Sequence, residues 1–340
     1  MSSISQLFIK QLNKLQIGGC LSYDIIGDVH GHSEALIALL SCMGYRERNG
    51  AWKHPERSAI FVGDYIDRGP NQIASVDIVR RMVDSGNAMA VMGNHELNAI
   101  AWYLPDPDNP GEYLRTHHSE KHGDKNYRQH KVFLNEVVNT PKHKEIIDWF
   151  LTLRLWLELA EIRIVHACWH QRYIDYLTPI LKDGHKINID MMVNEISQEP
   201  KDVSEMDMPE PTVFKAVEVL LKGIEIPLPS PHSFKDKDGH IRNRVRSRWW
   251  DSEASTYQQA AILDEELRLA LPDSVIPEHL RIGTDTEKPV FFGHYWMRGT
   301  PTVLSRNVAC VDYSVANGGK LTAYRWNGER ILRDESFAFV

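Results

Sequence analysis

The sequence contains no long apolar run and few cysteines, and both absences narrow the class of protein. No window approaches the roughly 18 uninterrupted apolar residues of a membrane-spanning helix, and the amino terminus lacks the basic and apolar regions of a secretory signal. The 4 cysteines follow no regular spacing, so we expect neither a disulfide framework nor a cysteine-ligated zinc site. These absences predict a soluble protein of the cytoplasm that makes no contact with a membrane.

Positive charge is also scarce. The chain has 39 lysines and arginines against 46 aspartates and glutamates, which gives a formal net charge of −7. We therefore expect no binding of nucleic acid through bulk positive charge, although a local basic groove is compatible with this balance. The composition, 42% hydrophobic and 25% charged, is ordinary for a globular protein. A length of 340 residues predicts one large domain with insertions, or two domains.

Three short apolar runs in the first third of the chain end in polar side chains. The first run ends in Gly27-Asp28-Val29-His30, the second in Gly63-Asp64 and the third in Gly93-Asn94-His95-Glu96. A helical pattern of apolar residues follows each run, which favours an α/β fold with parallel strands and right-handed crossovers. Because open α/β sheets carry their chemistry at the carboxyl ends of the strands, these polar residues are expected to share one edge.

Two later apolar runs end in the same way, at His166 and at His294. Taken alone, an aspartate after a strand is usually a helix cap or turn former, and a single histidine is usually structural. Five strands that each end in a carboxylate, carboxamide or imidazole instead indicate a metal site. This mixture of oxygen and nitrogen ligands suits a divalent ion such as manganese, iron or zinc.

The first three of these segments resemble, in order, the signature motifs of the calcineurin-like metallophosphoesterases, in particular the phosphoprotein phosphatase branch of bacterial type. The second motif extends to Gly63-Asp64-Tyr65-Ile66-Asp67-Arg68-Gly69, and the intervals of 36 and 30 residues from Asp28 to Asp64 to Asn94 are similar to those of the family. The resemblance implies an αββα sandwich in which two central mixed sheets are flanked by helices, with a helical cap insertion.

The resemblance also implies a role for each matching residue. Two divalent ions (manganese, iron or zinc) would be held by a set of six metal ligands: Asp28, His30, Asp64 as the bridge, Asn94, His166 and His294. A water between the ions would attack the phosphorus atom. His95 would protonate the leaving group, and Asp67 would orient its ring. The substrate phosphate would be bound by four residues: Arg68, Asn94, Arg242 and Arg246. Four alternating arginines at 242–248 are equally typical of one solvated strand face.

The resemblance is weaker outside the motifs. We expect a peripheral segment at 1–20 and one domain at 21–340, with a loop insertion at about 103–130 and a mostly helical insertion at about 171–240. Within the loop insertion four histidines, His117, His118, His122 and His130, are predicted to be exposed. The bulky Cys168 and Trp169 after His166 depart from the family pattern and predict a narrower site. Asn327-Gly328 predicts a two-residue hairpin between the last two strands.

Three functions are compatible with these residues. The first is a phosphatase acting on phosphoserine, phosphothreonine or phosphotyrosine in proteins, with a small phosphoester as the wider class of partner. Glu96 favours this function, because relatives that act on dinucleoside polyphosphates often have aspartate there. The second is hydrolysis of diadenosine tetraphosphate or another nucleotide anhydride. The third is a non-catalytic regulator that binds phosphorylated partners or RNA, which the presence of His95, Asp67 and Arg68 disfavours.

Overall fold

The computed structural model describes residues 22–197, 202–235, 239–283 and 287–340. The peripheral segment predicted at 1–20 lies outside the described residues. The helices are α1 Ser33–Cys42, α2 Gln72–Asp84, α3 Asn94–Tyr103, α4 Gly123–Val137, α5 Pro141–Phe150, α6 Gln171–Leu177, α7 Lys182–His185, α8 Ile189–Met191, α9 Val213–Lys222, α10 Tyr257–Ala260 and α11 Glu265–Leu269. Single wider or tighter helical turns lie at Met192–Ile196, Val203–Asp207, Glu278–Leu280, Val315–Asn317 and Asp334–Ser336.

The strands are β1 Ser22–Ile26, β2 Arg46–Arg48, β3 Ala51–Lys53, β4 Arg57–Phe61, β5 Ala88–Ala90, β6 Trp156–Glu158, β7 Arg163–Val165, β8 Glu225–Pro227, β9 Phe234–Lys235, β10 Ile241–Arg242, β11 Arg244–Arg246, β12 Val290–Phe292, β13 Val308–Cys310, β14 Asp312–Tyr313, β15 Lys320–Trp326 and β16 Phe337–Phe339. Most of them form two sheets. The first has the order β14-β15-β1-β4-β5 with β16 beside β15, and the second has the order β13-β12-β7-β6. The small hairpins β2-β3, β8-β11 and β9-β10 complete the set.

Both large sheets are mixed, as the sequence predicts. In the first sheet β1, β4 and β5 run parallel while β15 pairs antiparallel to β1. In the second sheet β12 runs parallel to β13 and β7, and β6 is antiparallel to β7. The strands that end in the motif residues are thus parallel within each sheet, which brings their carboxyl ends to one edge.

The two sheets pack face to face, and alternate residues of each strand define the layers. Tyr23 and Ile25 of β1 belong to a buried cluster with Ile164 of β7 and Phe291 of β12, so this cluster fills the space between the sheets. The neighbour Ile26 faces the other way and packs with Leu36 and Leu39 of α1. Strands that bury both faces read as continuous apolar runs, which explains why the sequence lacks strict alternation there.

Asp24 interrupts this pattern because it is a charged residue in the middle of β1 with no exposed surface. Its carboxylate accepts hydrogen bonds from Arg57 Nε at 2.9 Å, Arg325 Nε at 3.1 Å and the Tyr45 hydroxyl at 3.0 Å. Arg57 also donates to the carbonyl oxygen of Tyr23, at 2.8 Å. A buried carboxylate is tolerated only when it is paired in this way, and the group ties β1 to the two strands beside it.

Two expectations about local structure are wrong. The connection after Asn327-Gly328 is a long loop rather than a two-residue hairpin, because Tyr324 of β15 pairs with Phe337 of β16. Buried Leu332 anchors that loop through a hydrogen bond from its N–H to the Arg306 carbonyl. In addition, the segment predicted as a loop at about 103–130 ends in the first turns of α4, which begins at Gly123.

The buried ion pairs of Asp24 lead to a prediction about the stability of the fold. Replacing Arg57 with alanine leaves the carboxylate with one arginine, and losing one partner of a buried ion pair costs about 3 kcal/mol of the free energy of unfolding. The measurement is urea unfolding of the wild type and of Arg57→Ala. Arg81→Ala is the matched control, because Arg81 makes only an exposed contact of 3.8 Å with Asp77 and is expected to cost less than about 1 kcal/mol. Equal effects of the two changes would contradict the prediction.

Candidate active site

The structure brings the six predicted metal ligands to one buried edge. Asp28 follows β1, Asp64 follows β4 and Asn94 opens α3 after β5, while His166 follows β7 and His294 follows β12. The first three come from one sheet and the other two from the second sheet, so the site lies where the carboxyl edges of both sheets meet. All six side chains, including His30, are less than 9% exposed.

Two groups of potential ligand atoms share Asp64. One group contains His30, Asp64 and His95, the other contains Asp64, His166 and His294, and the ligand atoms within each lie within 4.8 Å of one another. Asp64 Oδ2 is 3.6 Å from His30 Nε2, and its Oδ1 is 3.4 Å from His166 Nε2. The Oδ1 of Asn94 is 3.1 Å from His166 Nε2. The carboxylate of Asp64 thus lies between the two groups.

Hydrogen bonds to the backbone orient the imidazoles toward this space. His30 Nδ1 donates to the Ile66 carbonyl at 2.9 Å, and His166 Nδ1 donates to the Val62 carbonyl at 2.8 Å. A carbonyl can only accept, so the Nε2 atom of each ring carries the lone pair that a metal binds. Burial lowers the pKa of His30 to about 4, which keeps this ring neutral at neutral pH.

Unpartnered atoms show that the residues fit a metal ion. Asp28 Oδ1, His30 Nε2 and His294 Nε2 are buried and have no hydrogen-bond partner among the residues that the structure describes. The other carboxylate oxygen of Asp28, Oδ2, accepts the N–H of His294 at 3.0 Å. Buried polar atoms are seldom left unpaired, and divalent ions at this edge would provide the missing partners. We conclude that the donor set fits divalent metal, as oxygen and imidazole ligands suggest.

Glycines make this close approach possible. A Cβ atom added to Gly293 would lie 2.0 Å from Asp28 Oδ1, and one added to Gly93 would lie 2.2 Å from Asp64 Oδ1. Several site residues adopt a left-handed backbone conformation, with φ of 45° at His30, 52° at Asp64 and 71° at His294. Such conformations cost of order 1–3 kcal/mol each for residues other than glycine and concentrate at functional sites.

His95 and Asp67 lie beside the metal ligands as an ion pair. The His95 Nδ1 and Asp67 Oδ2 atoms are 2.5 Å apart, and His95 Nε2 is 3.9 Å from Asp64 Oδ2. Burial opposes protonation of His95, but the carboxylates of Asp64 and Asp67 outweigh it and raise its pKa above the ordinary value. The two carboxylates therefore favour the protonated form of this imidazole at the metal edge.

A cavity of about 1190 Å³ opens above this edge. Seven cationic side chains line it, namely Arg68, Arg115, Lys125, Lys222, Arg246, Arg248 and Arg298, against the acidic Asp64, Glu218 and Asp264. The guanidinium of Arg68 lies 5.4 Å from the centre of the Trp296 ring. Apolar side chains from the predicted cap, Met192, Ile196, Phe214 and Phe234, form part of the wall.

The arginines predicted to bind phosphate are separated by the structure. Arg246 of β11 lines the cavity, whereas Arg242 belongs to the exposed hairpin β9-β10 and is not among the lining residues described. The chain passes from one small hairpin to another between them, so the alternation of a single strand does not apply. Arg248, two residues after Arg246, also lines the cavity. Arg244 pairs instead with Asp207, at 2.7 Å.

His130 lies next to the candidate site, although the sequence did not predict it there. It was predicted to be an exposed loop residue, which is wrong: it is fully buried on α4, and its Nδ1 is 2.8 Å from Asp67 Oδ2. The buried positions 126, 130, 133, 134 and 137 follow a helical period that could have revealed it. The predicted narrowing by Cys168 and Trp169 is also wrong, because neither is among the described residues that line the cavity.

Comparison with known proteins agrees with this geometry. A family model described as calcineurin-like phosphoesterase matches residues 21–203, more than half of the chain. The chain belongs to the calcineurin-like phosphoesterase family. The family uses divalent metals. Along the described part of the chain, no helix has the length and apolar character needed to cross a bilayer.

Two curated relatives share the name bis(5'-nucleosyl)-tetraphosphatase PrpE (asymmetrical). The protein of Oceanobacillus iheyensis is 34% identical over 149 residues, which covers 43% of this chain and 55% of that protein. The Bacillus subtilis protein is 40% identical over 85 residues, covering 25% of this chain and 34% of that protein. The chain thus matches little more than half of the length of these relatives, or less.

Solved structures with a similar fold include two phosphatases. A cold-active protein-tyrosine phosphatase of a psychrophilic Shewanella has a TM-score of 0.45 and 18% identity, with 92% of this chain and 80% of that chain covered. A protein serine/threonine phosphatase from Saccharomyces cerevisiae has a TM-score of 0.47 and 12% identity, with 96% and 80% covered. Because both TM-scores are below 0.5, we draw no conclusion about function from them.

Because both ligand groups contain Asp64, the structure leads to a prediction about metal binding. A metal that binds only the folded chain stabilises it, by about 2.7 kcal/mol at a concentration 100 times its Kd. We expect Mn²⁺ or Zn²⁺ to raise the thermal unfolding midpoint of the wild type, and Asp64→Asn to lose most of that shift, because both groups of ligands lose a carboxylate. The exposed Asp148→Asn is the control. A metal-induced shift of wild-type size in Asp64→Asn would rule out a shared ligand.

Proposed function

We propose that the protein is a phosphatase with two divalent metal ions, in which water attacks the phosphorus atom directly. The observation that carries this proposal is the pair of ligand groups that share Asp64 at the floor of a cationic cavity. Six residues would hold the metals: Asp28, His30, Asp64, Asn94, His166 and His294. When bound, such ions lower the pKa of water and neutralise charge on a phosphoryl group.

The residues around the metal edge would then donate the proton to the leaving group and bind the phosphate. His95 would donate a proton from Nε2 to the leaving oxygen, since its Nδ1 is engaged with Asp67. Arg68 and Arg246 would bind phosphoryl oxygens, because a guanidinium matches them in geometry. Asn94 can contribute its amide N–H to the phosphate while its Oδ1 faces His166. Contact of Arg68 with Trp296 restricts the arginine to the cavity.

The cavity favours a substrate with several negative charges. Seven cations are more than one phosphomonoester needs, and the volume of about 1190 Å³ exceeds the usual range of roughly 300–1,000 Å³ for small-molecule pockets. Apolar side chains of the cap could contact nucleobases beside a phosphate chain. A dinucleoside polyphosphate satisfies both features, and the names of the PrpE relatives agree with it. We therefore propose this substrate class first.

Glu96 no longer serves as an argument for a phosphoprotein substrate. Glu96 has no exposed surface, and its carboxylate accepts the N–H groups of Asp64, Tyr65 and Gly93 at 2.8–2.9 Å. A side chain occupied in this way supports the loop that bears Asp64 and cannot contact a substrate. A phosphoprotein or phosphopeptide remains the second candidate, because the cavity is open on one side and a phosphorylated side chain could enter it.

The cellular location of the protein and its domain organisation remain proposals. The cytoplasm is proposed because the described cysteines, Cys42, Cys168 and Cys310, form no disulfide bonds. The assignment of the segments at about 103–130 and 171–240 as insertions in a domain at 21–340 is likewise proposed. In that interpretation both segments contribute cavity walls, through Arg115 and Lys125 in the first and Met192 and Phe214 in the second.

Steady-state hydrolysis of three substrates tests the function. We expect Mn²⁺-dependent release of phosphate from p-nitrophenyl phosphate, and a higher kcat/KM for diadenosine tetraphosphate than for a phosphoserine peptide. A higher kcat/KM for the peptide would support the second candidate substrate, a phosphoprotein or phosphopeptide. No turnover of any of the three, with Mn²⁺, Fe²⁺ or Zn²⁺ bound, would refute phosphatase activity.

The two arginines four residues apart form a matched test of phosphate binding. We expect Arg246→Gln to raise KM for diadenosine tetraphosphate by about tenfold or more, since a hydrogen bond between charged groups contributes about 1.5–3 kcal/mol. Arg242→Gln changes the same residue type outside the cavity and is expected to leave KM within twofold. A larger effect of Arg242→Gln would restore the original prediction for that residue.

A further inference from the structure

One carboxylate oxygen in this protein receives hydrogen bonds from two histidines. Asp67 Oδ2 is 2.5 Å from His95 Nδ1 and 2.8 Å from His130 Nδ1. An ionised carboxylate only accepts, so both rings donate from Nδ1. His95 opens α3 and His130 lies on α4, so Asp67 connects two helices that are separate in sequence.

The imidazole of His130 is hydrogen-bonded to Asp67. His130 has no exposed surface, and its Nε2 has no hydrogen-bond partner in the described part of the chain. Its ring lies 6.4 Å from that of His95, edge to face, so the two rings approach Asp67 Oδ2 from different directions. Burial raises the pKa of Asp67, but His130 and then His95 outweigh it and hold that pKa below its ordinary value.

The same helix also fixes the backbone on which Asp67 lies. Glu136 of α4 accepts the N–H groups of Gln72 and Ile73 at 2.8 and 2.9 Å. The Gln72 side chain accepts the Asp67 N–H at 2.5 Å and donates to the Gly69 carbonyl at 2.6 Å. The loop it holds has φ of 72° at Asp67 and 71° at Arg68. A loop in this conformation needs outside support to persist.

We propose that His130 is a positioning residue that holds the Asp67 carboxylate in the orientation required by His95, so that helix α4 controls proton donation to the leaving group. This inference rests on the proposed function, in which His95 is the proton donor. His130 makes no contact with substrate. Its effect passes through Asp67, in the way that a third group orients the base in other catalytic hydrogen-bond chains.

Two nearly isosteric substitutions separate positioning from packing. Asn at position 130 can present its Nδ2–H close to the place of the imidazole Nδ1–H, whereas Leu has the same size without a donor. We expect His130→Leu to lower kcat by about tenfold or more on phosphoserine, a poor leaving group, and by less than about threefold on p-nitrophenyl phosphate. General-acid catalysis is a 10² to 10⁴-fold effect, of which a positioning residue controls a part. His130→Asn should recover most of the loss.

His95→Ala is the reference variant, since it removes the donor and should show the same dependence on leaving group to a greater degree. His143→Asn is the control for loss of a ring in the same region, because His143 packs on Tyr103 and Phe133. We expect His143→Asn to change kcat by the same factor on phosphoserine and on p-nitrophenyl phosphate. Metal content of every variant should equal that of the wild type. Equal losses of His130→Leu on both substrates, or no recovery in His130→Asn, would overturn the proposal.

A spectroscopic measurement tests the inference without a measurement of activity. In nitrogen-15 spectra of the wild type, we expect His130 to carry its proton on Nδ1 and His95 to give a strongly downfield Nδ1–H signal. That signal should move in His130→Leu and return toward its position in His130→Asn. An Nε2–H tautomer of His130, or a His95 signal unchanged in both variants, would refute the contact. Wild-type protein inactive on every substrate would instead refute the proposed function.

Discussion

The close approach of two sheet edges is the constraint on which the rest of the site depends. Ligands from the first sheet can meet ligands from the second only if the backbones after the strands nearly touch. Gly293, after β12, permits this contact, since a Cβ atom there would overlap a carboxylate oxygen of Asp28, after β1. Gly93 permits a similar approach to Asp64 between neighbouring strands of the first sheet. Buried packing between the sheets, from Ile25 to Phe291, holds the edges at this distance. The metal-binding geometry is therefore a property of how the sandwich packs.

A second set of contacts supports the loops that carry Asp64, Asp67 and Arg68. Glu96 caps the loop that carries Asp64, and Gln72 holds the loop that carries Asp67 and Arg68. These polar groups are buried and saturated with backbone partners, so they contribute order where the backbone is strained. Their presence explains how a site with several left-handed residues can remain fixed before any substrate binds. It also explains why Glu96 does not reveal the substrate.

The walls of the cavity have a different origin from its floor. The floor consists of strand ends, while the walls consist of α4, the cap helices and the hairpin that carries Arg246. The family match at residues 21–203 includes most of the floor and part of the walls, among them Arg115 and Met192, whereas Arg246 and His294 lie beyond it. Under the proposed function the substrate is selected at these walls, which the sequence motifs do not include. The charge and apolar surface of the walls are the basis for proposing a polyanionic substrate with large rings.

The sequence alone determined the parallel strands of the first third of the chain and the set of residues at the strand ends, because apolar patterning and motif spacing are local properties. The αββα sandwich with two mixed sheets followed from the resemblance of those motifs to a known family. The sequence did not determine the burial of His130, the separation of Arg242 from Arg246 or the loop after Asn327. Each of these depends on which distant segments meet: α4 with the Asp67 loop, two small hairpins with the cavity, and β16 with β15. Contacts between segments far apart in the chain leave no periodic signal in either one, so only the tertiary structure could decide them.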